Sequence, residues 1–128
     1  MRVECAILCG AAIMREGLIT VLDGGITSTT VRQFPGRLQV TFAYRAVLES
    51  RELRAQHVLR LSLVDARNGF RTSADVIFTR DEGPAYEEAA LSAPIALDIF
   101  EVPQPGVYLL EASLDDRAFG TYPLRVSA

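Results

Sequence analysis

Apolar side chains recur at every second position over much of the chain. Leu38, Val40, Phe42, Tyr44, Ala46 and Leu48 alternate with Gln39, Thr41, Ala43, Arg45 and Val47, a period that belongs to a half-buried strand. Leu59, Leu61 and Leu63 alternate with Arg60 and Ser62, and the turn residues Asp65-Ala66-Arg67-Asn68-Gly69 follow. Residues 58–65 and 70–79 therefore read as a hairpin turning at Asn68-Gly69, with Val76 and Phe78 on its inner side. Ile95, Leu97 and Ile99 predict a further strand, and Pro103, Pro105 and Gly106 punctuate the chain after it. Tyr108, Leu110, Ala112 and Leu114 alternate again, Asp115-Asp116-Arg117 forms the next turn, and Tyr122, Leu124 and Val126 predict the last strand. Near the start, residues 3–14 and 18–22 read as two short strands parted by Arg15-Glu16-Gly17. Asp23-Gly24-Gly25 then turns into a Thr-rich strand from Ile26 to Val31.

This gives about nine strands with Gly, Pro, Asn or Asp at nearly every junction, the rhythm of an antiparallel two-sheet β-sandwich. The expected fold is all-β, immunoglobulin-like or a related Greek key, with residues 1–128 as one domain. Two stretches favour helix. Glu49 to Ala55 reads as a loop or a single turn joining two strands, and Glu87 to Leu91 is a candidate for a helical turn after Asp81-Glu82-Gly83-Pro84.

Composition sharpens the picture. At 128 residues with 49% hydrophobic and 23% charged types, the chain is globular and long enough for one core. Its net charge of −3 argues against general attraction to nucleic acid or to an anionic membrane. All 13 basic residues are Arg, so chemistries that need a lysine (Schiff bases, phosphate-loop lysines, Ser-Lys dyads) are excluded. On a strand Cys5 and Cys9 would stand about 13 Å apart, beyond the roughly 7 Å limit for a bridge, and read as buried thiols. The apolar run from Cys5 to Met14 superficially resembles a signal peptide, but Glu4 and Arg15-Glu16 stand where such a segment needs apolar and small residues. No apolar run approaches the ~18 residues of a membrane span. The expectation is a cytoplasmic, soluble protein.

Two segments carry a resemblance. The opening, Ala6-Ile7-Leu8-Cys9-Gly10-Ala11-Ala12 through Arg15-Glu16-Gly17-Leu18 to Gly24-Gly25-Ile26-Thr27, is similar to a bacterial family of about this length common in high-GC actinobacteria. The segment Phe100-Glu101-Val102-Pro103-Gln104-Pro105-Gly106-Val107-Tyr108 resembles the same family, which is known only as a domain of unknown function. The resemblance implies a small β protein and carries over no activity and no site residues. Separately, Pro105-Gly106-Val107-Tyr108 is similar to the entry into the penultimate strand of immunoglobulin-like sandwiches, where a tyrosine hydroxyl bonds back to upstream backbone.

Candidate chemistry is sparse. Cys5, Cys9 and the solitary His57 supply too few ligands for zinc. Asp81, Glu82, Glu87 and Glu88, and separately Asp115 with Asp116, lack the spacing that wraps oxygens around calcium and read as solvated acidic loops. No Ser lies in a nucleophile elbow, and Leu91-Ser92-Ala93-Pro94 lacks both glycines, so His57 reads as structural or surface. Leu22-Asp23-Gly24-Gly25-Ile26-Thr27 has no following helix and no Lys for phosphate, and reads as a turn. Arg45, Arg51, Arg54 and Arg60 are interleaved with Glu49 and Glu52, a mixed-charge rim suited to protein contact and not to nucleic acid.

The expectations are therefore no catalytic, metal or cofactor-binding residue and no cofactor. Ala6 to Met14 and Ile95 to Val102 look apolar on both faces, which fits a covered central strand or a subunit contact. The function expected is non-catalytic protein interaction or self-association, with Arg15, Glu16, Arg45, Arg51, Arg54 and Arg60 as the candidate surface. Gly24, Gly25, Asn68, Gly69, Gly106 and Tyr108 are the expected structural turn positions. The alternatives are a small-ligand or carbohydrate site among the loops, near Arg15-Glu16 and the Asp23 turn, and an enzyme working through paired carboxylates.

Overall fold

A computed structural model describes residues 1–79 and 88–128, and these residues build an all-β sandwich. The smaller sheet has three antiparallel strands, β1 (Arg2–Cys9), β6 (Thr41–Glu49) and β9 (Glu88–Ala96), with β6 at the centre. The larger sheet runs β4 (Ser28–Thr30), β12 (Arg117–Ser127), β11 (Gly106–Leu114), β7 (Gln56–Asp65) and β8 (Phe70–Thr79). Two ribbons complete the described strands: β2 (Ala11–Arg15) with β3 (Leu18–Leu22), and β5 (Gly36–Arg37) with β10 (Glu101–Val102).

Alternation places the core between the two sheets. Phe42, Tyr44, Ala46 and Leu48 of β6 face Leu59, Leu61 and Leu63 of β7 and Tyr108, Leu110, Ala112 and Leu114 of β11, all buried in one cluster. Aromatic pairs cross the gap: the rings of Phe42 and Tyr122 lie 5.1 Å apart, and those of Tyr44 and Phe78 lie 6.0 Å apart. The other side of β6 is covered in part by the β2–β3 ribbon, which lies over β6 and β9, and Ala43 and Val47 on that side are buried.

The β7–β8 hairpin forms as its pattern predicts, with Asp65 opposite Phe70. The Asp65 carboxylate accepts the Arg67 backbone N–H and the Asn68 side-chain amide, each at 3.0 Å, and Gly69 supplies the positive φ of 66°. At the entry to β11 the Tyr108 hydroxyl donates to the Gln104 carbonyl at 2.6 Å, the upstream bond anticipated for this tyrosine.

The structure corrects several boundaries. Residues 3–14 are not one strand: Gly10 donates its N–H to the Leu22 and Asp23 carbonyls and redirects the chain from the small sheet into the ribbon. The strand expected over 95–99 begins at Glu88 and ends at Ala96, and Leu97–Ile99 is a single 3-10 turn. Residues 88–91 are therefore extended and not helical, because pairing with Ala46 to Glu49 satisfies the backbone of both strands. Glu87, like Asp81, Glu82, Gly83 and Pro84, lies outside the described residues. Leu38 and Val40 are buried but precede β6, which starts at Thr41. The Thr-rich strand shrinks to Ser28–Thr30 and runs parallel to β12, so one pairing in the large sheet is not antiparallel. The loop after β6 holds the single turn expected there, at Ser50–Glu52.

Two buried phenols make opposite predictions. Tyr44 is fully buried and its hydroxyl has no hydrogen-bond partner among the described residues, while Tyr108 keeps its bond to Gln104. Tyr44→Phe should leave stability unchanged or raise it, and Tyr108→Phe should lower it by about 1 kcal/mol, as read from urea unfolding midpoints at constant slope.

Candidate interaction surface

Ala12, Ile19 and Val21 of the β2–β3 ribbon are half-buried against the small sheet. Period-two alternation then forces their neighbours outward. Ala11 stands opposite Leu22, Ile13 opposite Thr20 and Arg15 opposite Leu18, so these six share one outer face. Ile13, Leu18 and Leu22 on that face are 59%, 66% and 59% exposed, a concentration of free aliphatic surface that ordinary scatter does not produce.

Backbone bonds from Gly10 to Leu22 and Asp23 and from Gly25 to Leu8 tie the base of the ribbon, and one side chain ties its turn. Arg45 reaches from β6 with Nη1 donating to the Gly17 carbonyl at 3.3 Å and to Ser92 Oγ at 3.2 Å, and with Nε donating to Glu4 Oε1 at 2.9 Å. The turn it holds is a two-residue one, with Glu16 at φ 52° and Gly17 at φ 76°. Arg45 thus has a positioning role, while Arg15 and Glu16 sit at the exposed end of the ribbon. Gly24 and Gly25 close its base, and only Gly25 takes a positive φ, 91°.

The remaining arginines of the expected surface lie apart from it. Arg60 is paired with Asp75 across β7 and β8 at 2.8 Å, and its guanidinium holds the Asp75 carboxyl below the ordinary value. Arg51 and Arg54 join Arg117, which sequence reasoning did not single out, around a cleft of about 290 Å³ whose lining includes Met1, Leu48 and Leu114. Glu52 in this cleft is held by Arg117 and by the Met1 ammonium, at 2.7 Å from the latter, and its side chain is only 14% exposed. The bond from the ammonium, helped by the Glu49 backbone N–H and Arg117, lowers the Glu52 pKa to about 2.

The buried His57 pairs with the partly exposed Asp115 beside the cleft. The fully buried imidazole donates from Nδ1 to Asp115 Oδ2 at 2.5 Å, because Nε2 accepts the Arg54 backbone N–H at 3.3 Å. Asp115 Oδ1 accepts the Val58 backbone N–H at 2.9 Å. Both ring nitrogens are engaged, so the imidazole has no lone pair free to act as a base on a bound molecule. The pair fixes the β11–β12 turn, where Asp115 and Asp116 adopt φ of 50° and 65°. Burial pushes the Cys9 thiol pKa up, and its sulfur sits 3.5 Å from the Thr41 carbonyl, a structural placement.

The family described as being of unknown function, DUF6941, matches residues 4–127, nearly the whole chain. The chain belongs to DUF6941. No curated protein and no solved structure matches it. The DUF6941 assignment accords with the uncharacterised family expected from the opening and the Phe100–Tyr108 segment, and it brings no activity with it. Among the described residues of this DUF6941 chain no three His, Cys, Asp or Glu side chains gather as metal ligands, and no helix is long and apolar enough to cross a membrane.

Two outcomes test this geometry. Arg45→Ala should release the ribbon, read as at least a tenfold (~1.4 kcal/mol) loss of hydrogen-exchange protection confined to residues 11–22 while β7 and β11 stay protected. Glu52 has a folded pKa of about 2, below the ordinary 4.5, so its contribution to stability is complete above pH 4.5 and fades as pH falls through 2. Glu52→Gln should therefore lower the melting temperature at pH 7, and the difference from wild type should shrink toward zero at about pH 2.

Proposed function

We propose that this protein is a non-catalytic interaction or assembly module whose contact element is the outer face of the β2–β3 ribbon. The observation that carries the reading is the exposure of Ile13, Leu18 and Leu22 together on one face of a ribbon whose turn accepts a hydrogen bond from Arg45. A platform whose backbone is already paired as a ribbon binds with less ordering cost than an unpaired segment. Arg15 and Glu16 at the end of the platform supply a polar rim, the usual border of a protein contact. The bond between Tyr108 and Gln104 supports the immunoglobulin-like reading of the scaffold, and the two unbridged thiols suit a reducing, cytoplasmic setting.

A second reading rests on a separate observation. Arg51, Arg54 and Arg117 line a cleft in which Arg51 is paired with Glu49, Arg117 and the Met1 ammonium share Glu52, and Asp115 is bound by His57, so Arg54 is the arginine there with no ionic partner among the described residues. A small organic anion with an apolar part is the ligand class this lining suits.

The two readings separate experimentally. Leu18→Glu combined with Leu22→Glu should keep the wild-type circular-dichroism spectrum and melting temperature, and should abolish any association of the wild-type chain seen by sedimentation or by comparative affinity capture from the native host. Unchanged association in the double variant would overturn the platform. A dissociation constant below about 1 mM for a short-chain carboxylate or phosphate ester by titration calorimetry, lost in Arg54→Ala, would favour the cleft.

A further inference from the structure

Strand β3 forms one free edge of the ribbon among the described residues. Among the described residues β2 and β3 pair only with each other. Their two-residue turn makes Arg15 and Leu18 a hydrogen-bonded pair, and alternation makes Ile13 and Thr20 the next one. Ile19 and Val21 therefore direct their N–H and C=O groups away from β2, toward the open edge.

That edge reads the same in both directions. Leu18-Ile19-Thr20-Val21-Leu22 runs leucine, β-branched aliphatic, threonine, β-branched aliphatic, leucine. Laid antiparallel on a copy of itself about Thr20, it sets Leu18 opposite Leu22, Ile19 opposite Val21, and Thr20 opposite Thr20. The Ile19–Val21 pairs are then the hydrogen-bonded ones, so every backbone group facing the edge finds its partner.

The ribbon's other edge, β2, is apolar from Ala11 to Met14 but does not read the same in both directions, and the edges of the two main sheets carry the usual guards against such pairing. β9 has Pro94, β12 has Pro123 where β4 does not reach it, β8 presents Arg71 and Asp75 outward, β1 carries Arg2 and Glu4, and β4 is three residues long. Leu18 to Leu22 contains no Pro, Gly or charge. Pairing identical strands normally sets like charges together, and here it does not. The charges lie at the ends of the seam: the register brings the Asp23-Gly24-Gly25 segment of one copy beside the Arg15-Glu16-Gly17 turn of the other. Arg15 and Asp23 have no ionic partner among the described residues, and the two glycines leave room for the turn with Glu16 at its tip.

We propose that a second copy of this chain adds its β3 to this β3, antiparallel across a two-fold axis at Thr20. The product is a continuous ribbon β2–β3–β3–β2 with Ile13, Leu18 and Leu22 of both copies on one face. This inference rests on the ribbon being the contact element and names the partner. A five-residue seam buries less than the roughly 800 Å² per partner of a standard interface, so the dimer should dissociate on dilution.

Thr20 is exposed and meets itself across the axis, so opposite charges there give a direct test. Analytical ultracentrifugation of the full chain should show a concentration-dependent dimer. Thr20→Lys and Thr20→Glu should each weaken it by about tenfold or more, because like charges then face one another, and an equimolar mixture of the two variants should restore it. If either variant fails to fold, Val21→Pro serves instead: it removes an N–H that faces the open edge and should abolish the dimer with the β2–β3 pairing intact. A native chain that stays monomeric at about 1 mM, or charged variants that dimerise like wild type, would overturn the proposal. If the seam fails while Leu18→Glu with Leu22→Glu still loses a captured protein, this inference falls and the platform reading stands.

Discussion

Strand β6 buries apolar side chains on both of its faces, and most of the architecture answers to that constraint. One face sends Phe42, Tyr44, Ala46 and Leu48 into the space between the sheets. The other carries Ala43 and Val47, small or branched apolar side chains that water must not reach, with Arg45 between them. A two-layer sandwich leaves that second face bare, so the chain folds a ribbon back over it. Arg45 makes the cover compatible with its own charge by giving its guanidinium to the Gly17 carbonyl, Ser92 and Glu4. Covering β6 has a consequence one layer further out, since the ribbon that supplies the cover has an outer face of its own.

Much of the fold was legible from the period of two. The β7–β8 and β11–β12 hairpins, the single turn after β6 and the all-β class follow from alternation and turn chemistry at particular residues, such as Gly69 and the Asp115-Asp116 pair. What alternation does not reveal is which sheet a strand joins. Residues 3–14 read as one apolar stretch because Gly10, the residue that turns the chain between sheet and ribbon, looks like any tolerated glycine. The parallel pairing of β4 with β12 joins residues nearly a hundred positions apart and leaves no local trace. For residues 88–91, Glu-Ala-Ala-Leu favours helix intrinsically, but the need of β6 for a hydrogen-bonded neighbour prevailed.

The candidate site was legible in part. Arg15 and Glu16, named in the sequence as part of a contact surface, are exposed at the ribbon's end, and the apolar run through Met14 signals a covered or contacting strand, but the sequence does not say that Ile13, Leu18 and Leu22 point the same way. The six residues of the expected surface divide among three places, because Arg45 faces the ribbon, Arg60 pairs with Asp75, and Arg51 and Arg54 border the cleft. His57 reads from sequence as structural or surface and lies buried, while its partner Asp115 was hidden in an acidic turn that looked solvated. A lone histidine beside a strand, with a left-handed Asp-Asp turn far along the chain, gives no sequence signal that the two will meet.

The parallel joint between β4 and β12 also sets a schedule for synthesis. Residues 1–49 can bring β1 and β6 together early, with the ribbon beside them, but the large sheet waits for its final strand to emerge before β4 has anything to dock on. Until then the inner face of β6, with Phe42 and Tyr44, lacks part of its opposing layer. The strand on which β4 docks is thus also the one that completes the layer opposite β6.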